Sequence, residues 1–160
     1  MDSSIASWLN AAADHPGLRQ LAELGAQLVV AAAGTVLALV ANVAATSWWY
    51  RARPYAALSD VHALIAQNPE SSFFSDHTIV ATGCAVAALL VSRRWGIAAT
   101  AAAVLVAVAR VAVGAHYPTD VLTAAAVTIV AIVVLLPARP AVEQLLAKLT
   151  GPRREELSAR

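Results

Sequence analysis

The sequence predicts an all-α integral membrane protein: a helical bundle of about four transmembrane helices with a short N-terminal interfacial helix. Of its 160 residues, 59% are hydrophobic and 13% are charged, whereas soluble domains carry roughly 25% charged residues. The mean hydropathy is +0.67. So few polar side chains cannot cover a water-soluble surface, which makes an Ala/Val-rich soluble helical protein the weaker interpretation. The length suits a single domain over residues 1–160.

Four apolar runs define the predicted bundle, over residues 21–49, 78–91, 95–113 and 121–136. The first is long enough to cross a bilayer with tilt, whereas the second is short for a span. Residues 3–19 suit an interfacial helix and a frayed terminus equally well. The last run is stopped by Pro137 and Pro140. We expect the core of the bundle over about residues 21–137 and a charged, cytoplasmic tail over residues 138–160, with a possible amphipathic segment over residues 141–149.

The distribution of basic residues predicts the orientation of the chain. Counting crossings places the polar clusters around Arg53, His77 and His116 on one side of the membrane. Most basic residues fall on the opposite side: Arg19, Arg93, Arg94, Arg139, Lys148, Arg153, Arg154 and Arg160. The positive-inside rule therefore predicts a multi-pass plasma-membrane protein with both termini in the cytoplasm and the clusters facing outward. The net charge of +1 gives no indication of nucleic-acid binding.

The three polar clusters suit the binding of an anion. Arginine presents planar N–H donors that match phosphate oxygens, and it stays charged at any useful pH. Arg53 and Arg110 come from different segments, so they would hold one phosphoryl group from two sides and stabilise the charge that develops during its transfer. Ser75 and the backbone N–H groups at the start of the second run would add donors. Alone, Arg110 would equally suit an interfacial arginine that snorkels to water.

Two histidines could divide the chemistry of phosphoryl transfer. Asp120 lies four residues after His116, in the first turn of a helix that Pro118 should start. Its carboxylate can accept the proton-bearing ring nitrogen of His116, which fixes the tautomer and frees the other nitrogen to attack phosphorus. His77 would then protonate the leaving oxygen.

The last cluster follows a known spacing. Ala109-Arg110, five residues, His116, three residues and Asp120 match the third motif of the type 2 phosphatidic acid phosphatase superfamily, with alanine in place of the motif's serine. The sequence thus resembles this family, which includes bacterial lipid phosphatases and shares its site with vanadium haloperoxidases.

The other two clusters resemble the remaining motifs of that family. Phe74-Ser75-Asp76-His77 corresponds to Pro-Ser-Gly-His, and its Ser-Asp-His form looks like the variant seen among undecaprenyl diphosphate phosphatases. Arg53-Pro54 corresponds to the Arg-Pro of the first motif, whose lysine position holds Thr46. The resemblance covers about residues 42–121, or half of the chain.

The resemblance implies a role for each site residue and no need for a metal or cofactor. His116 would be the nucleophile that forms a phosphohistidine, Asp120 would orient it, and His77 would be the acid. The candidate phosphate-binding residues, of which the last two are added from the sequence itself, are Arg53, Arg110, Ser75, Arg51 and Asp76. Asp76 also suits the N-cap of the second helix. Arg51 could supply the charge that Thr46 lacks; lower activity, a less charged substrate or a residue from a partner chain are the alternatives.

The function expected from these residues is removal of phosphate from a membrane lipid at the outer face. The Ser-Asp-His variant favours a polyprenyl phosphate, diphosphate or polyprenyl-phosphoryl sugar phosphate, as used in cell-wall building. Phosphatidylglycerophosphate or phosphatidate is the next choice. Thr46 also permits a non-catalytic lipid-binding relative. The expected partners are the lipid substrate and membrane lipids, and a homo-oligomer is compatible with the sequence.

Overall fold

The computed structural model describes residues 16–64 and 70–150, and every regular element within them is helical. The elements are α1 (Pro16–Trp48), the short α2 (Pro54–Ala57), α3 (Asp76–Val91), α4 (Arg93–Ala112), α5 (Pro118–Leu135) and α6 (Arg139–Thr150), with a 3-10 turn at Leu136–Ala138. The predicted all-α bundle is confirmed. Residues 16–19 of the predicted interfacial segment belong to α1, and the rest of that segment lies outside the described residues.

Three stretches of the described chain are long and apolar enough to cross a membrane: Arg19–Trp48, Arg93–Ala112 and Pro118–Ala147. The second predicted run forms α3, which is apolar but has only 16 residues. At a rise of about 1.5 Å per residue, α3 is about 24 Å long, somewhat shorter than the roughly 30 Å hydrocarbon core of a bilayer. The N-terminal end of α3 is therefore expected to lie slightly deeper in the membrane than the ends of its longer neighbours.

The helix α1 is the centre of the bundle, because α3, α5 and α6 all pack against it. The helix α4 packs mainly against α3, from which it is separated by the single residue Ser92. The buried core is made of Ala38, Ile79, Ala124 and Ala131. Small core residues let helix backbones approach closely. Such close packing matters in a membrane, because the hydrophobic effect does not drive helices together there.

The C-terminal end of the bundle contains a further helix. The helix α5 ends at Leu135, ahead of Pro137; the chain then makes one 3-10 turn, and α6 begins at Arg139 and packs against α1. The possible amphipathic segment predicted over residues 141–149 lies within α6. Pro140 is the second residue of α6, within the first turn, where a proline removes no intrahelical hydrogen bond. Residues 151–160 of the predicted tail lie outside the described residues.

Gly34 sets the close approach of α1 to α5, and its replacement by alanine should destabilise the protein. A Cβ at Gly34 would lie 2.5 Å from Cγ1 of Ile132 and 2.7 Å from its Cα. In an open helix Gly→Ala stabilises by roughly 0.5–1 kcal/mol, but overpacking a core costs about 1–3 kcal/mol. Gly34→Ala should therefore lower the thermal midpoint measured in detergent.

Gly25→Ala, in the same helix, is the matched control. Its Cβ would meet only the tip of the Leu146 side chain, at 3.1 Å, and a small rotation of that side chain can relieve the contact. A thermal midpoint lowered equally by both substitutions would contradict the assignment of Gly34 to the α1–α5 contact.

Candidate active site

A cavity of about 640 Å³ lies at one end of the bundle, and all three predicted polar clusters reach it. Its wall includes Arg53 from the loop after α1, His77 from the first turn of α3, Arg110 from the end of α4 and His116 from the α4–α5 loop. The structure thus brings these side chains together around one space, as the sequence predicted. Ser75, Arg51 and Asp120 are not part of the wall.

The last turn of α4 explains the spacing between Arg110 and His116. The Arg110 carbonyl accepts the backbone N–H of both Ala115 (3.2 Å) and His116 (3.3 Å), so the chain folds back over the helix end. The fold-back needs a left-handed residue, which is supplied by Gly114 at φ +74°, a conformation that costs glycine little. A Cβ at Gly114 would also lie 2.8 Å from Val61. The local backbone geometry therefore places His116 next to Arg110.

The His116 ring is buried and oriented by hydrogen bonds on both nitrogens. Nδ1 lies 2.7 Å from the Ser72 carbonyl oxygen, which can only accept, so Nδ1 carries the proton. Nε2 lies 3.5 Å from Nη1 of Arg53 and 3.4 Å from Nη2 of Arg110, and guanidinium groups only donate. These partners assign the Nδ1–H tautomer and leave the lone pair of Nε2 facing the two arginines.

The charge state of His116 follows from the same surroundings. Burial, together with the positive charges of Arg53 and Arg110, lowers the pKa of the His116 imidazole from 6.5 to about 4, against the opposing effects of the Ser72 carbonyl and Asp120. Loss of water around the ring is the largest cause, because it disfavours the charged form. The ring is therefore neutral at physiological pH, as a nucleophile requires.

The two arginines are held by different means. Arg53 is buried, and it donates from Nε to the Glu70 carbonyl (3.2 Å) and from Nη1 to the Ala115 carbonyl (3.3 Å). Pro54 starts α2 directly after it, which fixes the direction of the backbone. Nε of Arg110 is buried without a hydrogen-bond partner among the described residues. Both arginines line the cavity.

Asp120 reaches His116 indirectly, which corrects the predicted direct hydrogen bond. Its carboxylate is fully buried and accepts from the Ser72 hydroxyl (2.5 Å), the Tyr117 backbone N–H (2.9 Å) and Nη1 of Arg51 (2.6 Å). Within the described chain it makes no hydrogen bond to His116, because the backbone of Ser72 occupies the Nδ1 side of the ring. Ser72 therefore stands between the carboxylate and the imidazole.

Arg51 does not take the place of the missing lysine. Its guanidinium pairs with Asp120, donates to the Thr119 hydroxyl (3.0 Å) and stacks on Tyr117 at 3.9 Å from the ring centroid. Thr46, at the lysine position, does line the cavity. Its hydroxyl donates to the backbone carbonyls of Asn42 and Val43 at 3.0 Å each. The wall at Thr46 is therefore uncharged.

The three polar residues at the start of α3 have different surroundings. His77 is exposed and lines the cavity. The N-cap is Ser75 rather than Asp76: its hydroxyl is buried and accepts the Thr78 N–H at 3.4 Å. The Asp76 carboxylate instead accepts from the Asn42 side-chain amide at 2.5 Å. The phosphate-binding roles predicted for Ser75 and Asp76 stay predictions.

The polar Asn42 inside an apolar run predicts a contact with either a neighbouring helix or the site, and helix–helix packing is the favoured alternative. Asn42 of α1 donates to Asp76 and accepts the Phe74 N–H at 2.6 Å, so it holds the α3 cluster against α1, and it also lines the cavity. Ser72 was missed by the sequence analysis. Ser72 lies in a loop and carries no sequence signal. No cluster of three or more His, Cys, Asp or Glu side chains suited to a metal occurs among residues 16–64 and 70–150.

The fold and the site define a helical membrane protein with a buried histidine between two arginines at one end of the bundle. The chain belongs to the PAP2 superfamily, which matches residues 27–143. This confirms the family that the three motifs resemble. The chain is a multi-pass membrane protein.

A relative is undecaprenyl-diphosphatase BcrC of Bacillus subtilis (strain 168), with 36% identity over 95 residues. The aligned region covers 59% of this chain and 49% of BcrC, so the chain spans about half the length of that relative. No solved structure matches the chain.

The pKa of His116 predicts how its reactivity depends on pH. A base with a lowered pKa stays unprotonated to more acidic pH and loses reactivity only as the pH falls through about 4. Diethyl pyrocarbonate modifies unprotonated imidazole, and mass spectrometry can follow the His116 peptide separately. We expect half-maximal modification near pH 4, whereas N-acetylhistidine should show about 6.5. A midpoint for His116 equal to that of N-acetylhistidine would contradict the proposed environment.

Proposed function

We propose that this protein is a membrane lipid phosphatase that removes a phosphoryl group from a polyprenyl phosphate, diphosphate or polyprenyl-phosphoryl sugar phosphate. The observation that carries the proposal is the unprotonated Nε2 of His116, which lies beside two arginines in the wall of a cavity large enough for a phosphorylated headgroup. A nucleophilic nitrogen beside two fixed cations suits attack on phosphorus better than simple anion binding, since two arginines alone would bind an anion.

In the proposed first step, Nε2 of His116 attacks phosphorus while Arg53 and Arg110 bind the phosphoryl oxygens. The bond from Nε2 to phosphorus forms, and the bond from phosphorus to the leaving oxygen breaks. Nδ1 keeps its proton, because the Nδ1–H group is hydrogen-bonded to the Ser72 carbonyl. The guanidinium groups are already in place, so stabilising the charge of the transition state costs little reorganisation.

His77 supplies and recovers the proton in this scheme. In its protonated form it gives the proton to the departing oxygen, which leaves as the lipid alcohol or lipid phosphate. It then accepts a proton from the water that attacks the phosphohistidine and releases inorganic phosphate. The exposure of His77 supports this role, since it can exchange protons with solvent. No metal takes part in the proposed reaction.

The substrate class rests on the Ser75-Asp76-His77 motif and on the likeness to BcrC, a protein named as an undecaprenyl-diphosphatase. The charge distribution favours a cavity on the extracytoplasmic side with both termini in the cytoplasm. Phosphatidylglycerophosphate and phosphatidate are the alternative substrates.

Phosphate release from purified protein tests the proposal. The panel comprises undecaprenyl diphosphate, undecaprenyl phosphate, phosphatidylglycerophosphate and phosphatidate. We expect the polyprenyl substrates to be preferred and His116→Ala to abolish release. His77→Ala should lower the rate about 10²–10⁴-fold, the usual contribution of a general acid–base. Radiolabelled substrate should leave an acid-labile phosphoenzyme that His116→Ala cannot form.

The control for the histidine substitutions is His62→Ala, because His62 is exposed and does not line the cavity. It should keep the activity of the unmodified protein. Release that survives in His116→Ala would disprove the phosphohistidine step.

Thr46 supports a second candidate, a lipid-binding relative without efficient turnover, since the cavity lacks the family's lysine. Absence of release from every lipid in the panel, with retained binding of those lipids, would favour it.

Thr46→Lys should raise kcat/KM, since Thr46 lines the cavity and a lysine there would restore a third cation. A gain of about tenfold corresponds to about 1.4 kcal/mol of transition-state stabilisation, and it should shrink at high salt. Ser47→Lys is the matched control, because Ser47 is exposed and outside the cavity wall. Equal gains from both substitutions would mean that general surface charge, not the position of Thr46, governs the rate.

A further inference from the structure

Ser72 joins the cluster around Arg51 and Arg53 to the cluster around His116 and Asp120, through both its backbone and its side chain, and it lies three residues before the Ser75–His77 cluster. Its N–H donates to the Arg51 carbonyl at 2.8 Å, its carbonyl accepts Nδ1 of His116 at 2.7 Å, and its hydroxyl donates to Asp120 at 2.5 Å. It is fully buried. The N–H, the carbonyl and the hydroxyl of Ser72 are therefore all hydrogen-bonded, to Arg51, His116 and Asp120 respectively.

We propose that Ser72 is a positioning residue that couples the Asp120 carboxylate to the His116 imidazole. This inference rests on the proposed phosphatase function for its effect on rate, but the coupling itself is a property of the resting protein. Asp120 would hold the Ser72 hydroxyl, and the Ser72 carbonyl would in turn hold the ring of His116 in the Nδ1–H tautomer.

The Ser72 carbonyl lies outside regular secondary structure. Residues 70–75, which precede α3, belong to no helix, so no regular ladder of hydrogen bonds fixes the direction of this carbonyl. A hydrogen bond to an ionised carboxylate is stronger than a neutral one, and the contact with Asp120 is short and buried. The N–H of the same peptide unit, that of Phe73, donates to the Ser71 hydroxyl at 3.3 Å, so without the Ser72 hydroxyl the carbonyl would be oriented only by this neutral contact and by His116 itself.

The other partners of Asp120 support the proposed coupling. Arg51 and the Tyr117 N–H hold the carboxylate from other directions, so it is a rigid anchor. Asp120 contacts the Ser72 hydroxyl and makes no hydrogen bond to His116 among the described residues, whereas the Ser72 carbonyl lies 2.7 Å from Nδ1 of the ring. In the proposed arrangement Asp120 therefore orients the ring through Ser72.

The test is a double-mutant cycle with Ser72→Ala, Asp120→Asn and the combination. On the substrate that the panel identifies, Ser72→Ala should lower kcat about 10–100-fold, the usual cost of losing a supporting hydrogen bond behind a functional group. KM should change little, because Ser72 does not line the cavity. The double variant should be no slower than Asp120→Asn alone, since both changes break one path.

A second readout needs no turnover. Nitrogen-15 NMR of histidine-labelled protein reports which ring nitrogen of His116 carries the proton. We expect a pure Nδ1–H ring in the unmodified protein and a mixture of tautomers in Ser72→Ala and in Asp120→Asn. Ser72→Cys, which keeps a weak S–H donor, should lie between the unmodified protein and Ser72→Ala in both tautomer and rate.

Thr128→Val is the matched control, because it removes an equally buried hydroxyl that bonds only within α5, to the Ala124 carbonyl. It should change neither readout. A pure tautomer in Ser72→Ala, or a double variant whose losses multiply, would overturn the coupling. A changed tautomer in a protein that releases no phosphate from any lipid would keep the coupling and reject the phosphatase function.

Discussion

The arrangement at the end of the bundle depends on keeping one buried imidazole uncharged. Protonation of His116 would place a cation within 3.5 Å of two permanent cations, in a largely buried position. Coulomb repulsion and the loss of hydration act in the same direction, so the ring stays neutral. A single acceptor, the Ser72 carbonyl, then decides which nitrogen holds the proton. The burial of the ring, its tautomer and the unprotonated Nε2 all follow from the same packing.

A neutral histidine alone would not bind an anion, so the charge of the two arginines must remain available. The structure achieves this by separating the buried carboxylate from the cavity. The charge of Asp120 is balanced by Arg51, and its carboxylate also accepts from the Ser72 hydroxyl and the Tyr117 N–H. Arg53 is held by backbone carbonyls, which orient its guanidinium without cancelling its charge. Arg51, which sequence analysis assigned to phosphate, instead balances the charge of Asp120 and leaves Arg53 and Arg110 to face the cavity.

The residues that sequence analysis placed correctly are those fixed by local geometry. The return of His116 to Arg110 needs only a helix end and a left-handed glycine, and both are visible in the sequence. The apolar runs likewise predict helices, because periodicity and composition are local. Ser72 and the direction of Arg51 depend instead on contacts across 44 and 69 residues of sequence separation, which no local pattern contains. For α6 the local pattern predicts a possible amphipathic segment, whereas its packing against α1 depends on contacts that are distant in sequence.

The two histidines of the site show how solvation can assign roles to one residue type. His116 is buried, so it cannot readily gain a proton, whereas His77 is exposed at the rim and can exchange protons with water. In the proposed reaction the neutral ring attacks and the solvated ring carries the proton, and paired titratable groups in contrasting environments often divide the work in this way. Two arginines balance a terminal phosphoryl group of roughly −1.5 to −2 charges at pH 7. With the wall uncharged at Thr46, these two arginines would balance the charge of a single phosphoryl group in the proposed reaction.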